Sequence, residues 1–376
     1  MHIERKIRME NLREERGKEI ASQQGAIKRL GENEYQVESQ SKKFTVYSVR
    51  RMSTGWTCSC PDYQTRGVIC KHIFAVQFSR QIREEVKKNV VIEPVEISAC
   101  IFCHSQNIKK NGIRMNKEVS IQKFRCKDCN RQFSVNIGFE RMKHNPKAIT
   151  TAMQLYFSGE SLRNTQRALR LLGVQVSHVT VYEWIGKYTK LMQTYLDKIT
   201  PQVSDVWRTD ELFIKVKGNL TYLFSMMDDE TRFWISQQVA DHKGVSDVRP
   251  MYRDAKELTG KKPAILISDG AHNFHAAFNK EFYSNKKASR HINHIHLKGD
   301  KNNNKMERLN GETRDREKVM RGLKTKDTPI LKGYQIYHNF VRPHEALKGK
   351  TPGEAAGIVV EGNDKWMTLI QNASVK

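Results

Sequence analysis

The sequence predicts an α/β chain in which a mixed-sheet domain follows a helical unit and two small metal-stapled modules. Three observations carry this reading. All seven cysteines lie before residue 130, in two short-spaced sets. Apolar residues between 146 and 195 recur at helical spacing, with sharp breaks at Gly159 and Gly173. From residue 203 onward, alternating apolar runs and helical stretches take turns, as they do where helices cover a sheet. The expected divisions are 1–88 (a helix and the first metal module), 89–140 (the second module), 141–200 (the helices), 201–360 (the sheet domain) and 361–376 (a tail).

Composition narrows the partner. The chain has 376 residues, with 65 Lys and Arg against 41 Asp and Glu, a formal net charge of +24. A surplus of that size suits a polyanion, because each cation set against a phosphate releases condensed counterions. No apolar run approaches the roughly 18 residues of a membrane span. Met1 to Arg16 is too charged to hold the core of a secretory signal. Nucleic acid in a cytoplasmic compartment is the expectation.

The cysteines form Cys58-x-Cys60 followed by Cys70-x-His72, and Cys100-x-x-Cys103 followed by Cys126-x-x-Cys129. An odd count with none left over argues against a disulfide framework and for metal in a reducing compartment. Four thiolate or imidazole donors suit tetrahedral zinc in a closed, structural site. Before the first set, residues 4–30 read as a solvated charged helix, and the runs from Tyr35 and Lys43 as a hairpin. His72 is expected near a helix start. Cys58-Ser-Cys60-Pro-Asp-Tyr and Cys70-Lys-His72 together resemble the SWIM zinc finger, a resemblance that implies nucleic-acid or protein contact.

Between the second pairs, a turn at Asn111-Gly112 and a strand from Val119 to Arg125 predict a zinc ribbon. Arg125, Lys127 and Arg131, with Lys109 and Lys110, are its expected phosphate contacts. In the helical unit Pro146 opens the first helix and Ser161 caps the second. Leu162, Thr165, Leu169 and Leu172 stripe that second helix, and Val181, Trp184, Ile185 and Tyr188 the third. Helix, short turn and helix predict a helix-turn-helix unit. Ser177, His178, Thr180 and Tyr182 are then candidate base readers, with Arg163 and Arg167 nearer the DNA backbone.

In the last domain, strands over 203–216, 220–227 and 232–239 read as an antiparallel meander. A helix over 245–259, a strand over 264–269 and a helix from 272 follow, the order of a ribonuclease H-like sheet. Asp210 lies inside the first strand, Asp269 ends a later one, and Glu307 sits in the first turn of a charged helix expected over 304–321. Three such carboxylates can converge on a pair of Mg²⁺ ions, which take oxygen ligands and serve phosphoryl transfer. Glu312 and Glu317 are competing helix acids. Glu211 is expected to face away from Asp210.

Residues 146–360 resemble the DDE transposases of prokaryotic insertion sequences, relatives of retroviral integrases. The resemblance rests on Asp210 in the first strand, Asp269 before Gly270, and Asn302-Asn-Asn-Lys-Met-Glu307-Arg, with Tyr337-His-Asn-Phe-Val-Arg342-Pro-His344 behind them. It implies catalysis by Asp210, Asp269 and Glu307 with Mg²⁺ or Mn²⁺, double-stranded DNA as partner for both element ends and target, and a homo-oligomer on DNA near a prokaryotic nucleoid. Arg314, Arg316, Lys318, Arg321, Lys324 and Lys326 would grip DNA beside the acids. Two other classes remain open at this point: a DNA-binding regulator derived from a transposase, and a ribonuclease H-like nuclease that cuts without joining.

Overall fold

The computed structural model describes residues 2–375 apart from 24, 32, 43–44, 53–54, 87–88, 96, 116–119, 135, 284–288, 293–302 and 320–322. Helix α1 (His2–Ser22) leads into a four-stranded antiparallel meander, β1 (Ile27–Arg29), β2 (Glu34–Glu38), β3 (Val46–Met52) and β4 (Gly55–Cys58). Short α2 (Pro61–Arg66) and α3 (Lys71–Val86) complete the first module. The expected solvated helix is instead packed: Ile20 is buried, and a Cβ at Gly17 would stand 2.5 Å from the Cβ of Phe74 in α3. Only glycine permits that approach.

Strand β5 (Val90–Ile92) follows, then an antiparallel three-stranded unit, β6 (Ile108–Met115), β7 (Ser120–Cys126) and β8 (Gln132–Ser134). Asn111-Gly112 is not the hairpin turn. It is an irregularity inside β6, where the register shifts between Lys110 and Ile113 and Gly112 takes φ +76°. Helices α4 (Pro146–Ser158), α5 (Leu162–Leu171) and α6 (His178–Leu196) are capped by the side chains of Asn145, Ser161 and Ser177. Leu172 departs from the expected stripe. It is the C-cap of α5, outside the helical face, and is 66% exposed.

The sheet domain comprises β9 (Val206–Val216), β10 (Asn219–Asp228), β11 (Trp234–Ala240), α7 (Val245–Thr259), β12 (Ile265–Ile267), α8 (His272–Glu281), β13 (Arg290–Ile292) and α9 (Asn304–Glu317). Strand order is β11-β10-β9-β12-β13. The first three strands run antiparallel, whereas β12 lies parallel to β9 and β13 parallel to β12. This is the ribonuclease H-like sheet. Lys217 and Gly218 both take positive φ in the two-residue link from β9 to β10, the turn whose twist suits a hairpin.

Helix α10 (Pro329–Ile336), a π-helical turn at Tyr337–Val341, α11 (Pro352–Ala355), β14 (Ile358–Val360) and α12 (Lys365–Ser374) finish the chain. The expected tail belongs to the core. Trp366, Leu369 and Ile370 of α12 join one buried cluster with Ile149, Trp184 and Tyr188 of the three helices and Trp207, Phe224 and Trp234 of the sheet. Strand β14 pairs in parallel with β5, which ties the expected second module's first residues to the chain's end. The first module also docks on the sheet. Leu30 packs with Val206, Ile265, Ile267 and Ile292, and Arg29 pairs with Glu230 at 2.7 Å. Among the described residues, no helix is long and apolar enough to cross a membrane.

Candidate active site

The sheet places two acids side by side. Ile267 is the register partner of Arg208, so the chain leaves β12 two residues before Asp269 while β9 continues to Asp210. One ligand atom each from Asp210, Asp269 and Glu211 lie within 4.8 Å of one another. Glu211 is thus not turned away as the strand pleat predicted. Among the described residues, β9 beyond Arg208 has no ladder partner on the β12 side except the bridge Val216–Leu323, so a long side chain has room along that edge.

Glu307 stands in the first turn of α9 and is exposed. Its carboxylate lies outside that tight cluster, yet its charge reaches Asp210. The competing helix acids are committed elsewhere. Glu312 is held in two parallel bonds by Arg342, at 2.7 and 3.0 Å, and Glu317 accepts the Lys215 amide at 3.1 Å. Three contacts missed in the sequence position the acids. Asn310, one turn beyond Glu307, donates to Asp210 at 2.9 Å. Lys305 donates to the Asp229 carbonyl and carboxylate at 2.8 and 2.9 Å, pinning the start of α9 to the end of β10, and buried Arg208 pairs with the same carboxylate. The i+3 spacing of Glu307 and Asn310 was the available signal for the first.

Burial pushes the Asp210 carboxyl up to about 7, and the nearby charges of Asp269, Glu211 and Glu307 add to it. Acids this close resist ionising together unless a cation joins them. The spacing fits one: two oxygens on opposite sides of a Mg²⁺ ion stand about 4.1 Å apart, from bonds of about 2.05 Å. Beside Asp269, Ser268 Oγ lies 2.9 Å from His291 Nε2, and His291 Nδ1 lies 3.0 Å from His275 Nδ1. Burial, with His275 adjacent, pushes His291 down to about 4, so this imidazole is neutral.

The two Cys/His sets are each gathered. His72 Nδ1 lies 3.9 Å from both Cys58 Sγ and Cys70 Sγ, and Cys60 joins them. In the other set Cys100–Cys129 and Cys103–Cys126 sulfurs are each 3.6 Å apart. Those separations far exceed a disulfide bond and approach the edge of about 3.8 Å that a tetrahedron of 2.3 Å zinc–sulfur bonds requires. Amides of Cys60, Phe102 and Cys129 point at the sulfurs of Cys58, Cys100 and Cys126 at 3.4 to 3.5 Å. His104 and Asn130, the residues after each second cysteine of the ribbon, share a left-handed φ of 57° and 59°, so its two knuckles turn alike.

The expected DNA contacts divide. Arg163, His178, Tyr182 and Lys318 come together around one cavity of about 640 Å³ between the three helices and the end of α9. Ser177 and Thr180 are half spent on capping, since the Ser177 hydroxyl accepts the Thr180 amide and bonds its hydroxyl. Arg167 and Arg314 are exposed, Arg125 bonds Asn130, and Arg131 lies over the Phe102 ring at 5.1 Å. Arg316 cannot grip DNA as expected. It is buried, over the Tyr156 ring and donating to the Tyr156 carbonyl. Lys326 pairs with Asp241, and Arg321 lies outside the described residues.

Two segments of the chain match known protein families. Residues 204–344 match the model of a DDE domain, and residues 50–78 that of the SWIM zinc finger. The chain therefore carries a segment that matches a DDE domain behind one that matches a SWIM zinc finger. Two curated relatives from Staphylococcus aureus are the transposase for insertion sequence-like element IS431mec and the transposase for insertion sequence element IS257 in transposon Tn4003. Each is 28% identical over 138 residues, 35% of this chain. The chain spans 62% of the length of these relatives. Among solved structures, the HTLV-2 integrase catalytic core domain in complex with magnesium aligns at a TM-score of 0.33 and 17% identity, over 42% of this chain and 98% of that one. A simian T-cell lymphotropic virus intasome aligns at 0.33 and 16%, over 55% and 74%.

Proposed function

We propose that this protein is an insertion-element transposase that cleaves DNA at element ends and joins them to a target duplex. The observation that carries the reading is the approach of Asp210, inside β9, to Asp269, just past the end of the neighbouring β12, beside a helix on which Glu307 has no ion-pair partner among the described residues, in a chain of net charge +24. Asp210 and Asp269 would share a divalent ion, Mg²⁺ or Mn²⁺, and Glu307 would complete a second. The ion pair, when bound, supplies activation of the attacking hydroxyl and neutralisation of the leaving oxygen. Asn310 keeps the Asp210 carboxylate aimed into the site, and Lys305 fixes the height of the turn that bears Glu307.

The remaining parts would hold DNA. The three helices form the helix-turn-helix unit, and their cavity with Lys318 takes phosphate from a duplex that runs on towards the acids. Two zinc ions would staple the SWIM finger and the ribbon, and Arg125 and Arg131 extend the basic surface. Element ends come in pairs, so a homo-oligomer on DNA is part of the proposal. Its divisions are the modules before residue 140, the three helices to 200 and the catalytic domain beyond, closed by α12.

The test is a labelled duplex carrying the element's own end, incubated with Mg²⁺ or Mn²⁺ and scored for nicking and for joining. The unmutated protein nicks and joins. Asp210→Asn, Asp269→Asn and Glu307→Gln each lose both reactions by about a thousandfold or more while still binding the duplex. Nicking without joining makes the protein a nuclease, and specific binding with neither reaction makes it a regulator.

A further inference from the structure

Glu211 is a residue that neither the three-acid pattern nor the strand pleat accounts for. Its side chain is 9% exposed, and one oxygen is paired with the ammonium of Lys243 in the link between β11 and α7. The other oxygen, Oε2, is out of solvent and has no hydrogen-bond partner among the described residues. Leaving a buried carboxylate oxygen unmade is costly. Here the cost is compounded, because the group lies against two further carboxyl groups, those of Asp210 and Asp269. A structural ion pair would not be built this way. A metal ligand would, because the missing partner is then a cation.

Lys243 fits the same account. Its side chain is 39% exposed, so it can turn to water at little cost once another cation neutralises Glu211. Glu307, in contrast, is exposed on the facing helix and outside the tight cluster. Among the described residues, the acids that the fold alone brings within one ion's reach are Asp210, Asp269 and Glu211.

We propose that Glu211 is a ligand of the first divalent ion, which binds to Asp210, Asp269 and Glu211 before DNA arrives, and that Lys243 holds Glu211 in place until that ion displaces it. This rests on the metal-dependent reading above. Glu307 then serves the second ion when DNA is present. Lys243 is a positioning residue and makes no contact with the reacting atoms.

The experiment titrates Mn²⁺ into the full-length, zinc-loaded chain without DNA, following free Mn²⁺ by electron paramagnetic resonance. Glu211→Gln, nearly isosteric, weakens the site by about tenfold or more. Glu307→Gln weakens it less than Glu211→Gln does, and Lys243→Met tightens it. Thermal unfolding of each variant, with and without Mn²⁺, supplies a second readout: the ion raises the melting temperature of Lys243→Met more than that of the unmutated chain, and that of Glu211→Gln less. Unchanged Mn²⁺ affinity in Glu211→Gln, with affinity lost in Asp210→Asn, overturns the role of Glu211 and leaves the transposase reading standing. Unchanged affinity in Asp210→Asn and Asp269→Asn as well overturns both.

Discussion

The Cys/His clusters and the acid cluster gather their ligands to opposite ends. In the former, four donors close on one another in each set, and backbone amides point at three of the sulfurs. Cys58, Cys60, Cys70 and His72 are all buried. The acid cluster is left open. Asp269 and Glu307 face solvent, Asp210 is half-buried, and an oxygen of Glu211 is unmatched. A closed set of four donors spends its metal on holding the chain, while an open set keeps positions for water and substrate. The difference matches the proposed division between parts that stabilise this molecule and a part that reacts.

Metal removal should break that comparison most visibly, and unevenly. Among the described residues the ribbon buries only Cys100, Cys126 and Phe133, with Ile97, Ile108 and Phe124 packed against them, a small apolar core. The first module buries Ile20, Tyr35, Val37, Val49, Ile73 and Val76 besides its cysteines. A chelator, or Cys100→Ser, should unfold residues 98–134 outright, since structural zinc supplies roughly 10 kcal/mol to such modules. Hydrogen exchange should show the first module loosened but compact and the sheet domain protected. Equal loss in both modules would mean that the apolar core of the first contributes little.

The next effect is smaller and lies beside the acids. Glu312 and Arg342 are paired twice and mostly buried, so Glu312→Gln should cost about 2 kcal/mol in denaturant unfolding. Glu317→Gln, which loses part of one amide contact, should cost far less and serves as the better activity control. Acidification gives a third test. His338 is fully buried with Nε2 bonded to the Arg232 carbonyl, and burial, with His344 beside it, pushes it down to about 3. Below about pH 6.5 the unfolded chain takes up a proton that the native one refuses. The stability is therefore whole above that pH and lost as pH falls towards 3, by about 1.4 kcal/mol per unit. His338→Gln should flatten that slope in melting curves between pH 7 and 5.

The smallest effects concern DNA. Arg163→Ala and Lys318→Ala, at the shared cavity, should each lower the log–log salt slope of binding by about 0.9. Arg316→Met should leave the slope unchanged and lower stability instead, because its side chain is in the core.

What the sequence shows of this molecule depends on how local each feature is. The Cys/His sets are legible because their members lie a few residues apart in each pair. The helix caps Ser161 and Ser177 are legible for the same reason. Asp210, Asp269 and Glu307 each carry a local mark: an acid within an apolar strand, an acid after one, an acid in an Asn-rich helix start. The approach of Glu211 to Asp269 carries none, because it depends on where β12 stops relative to β9. Strand β13 is too short for its period to show, and the His275–His291 pair needs that strand beside α8. The burial of α12 follows from a surface that only the assembled helices create.

On this reading, closed Cys/His clusters and an open acid centre hold different metals in one chain. Anomalous scattering from a crystal washed briefly with chelator and then soaked in MnCl₂, recorded across the zinc and manganese edges, tests it most directly. The prediction is zinc within each Cys/His set, and manganese between Asp210 and Asp269 with a Glu211 oxygen in its coordination shell. Zinc at the acids, or no manganese there while both zinc peaks persist, would contradict it.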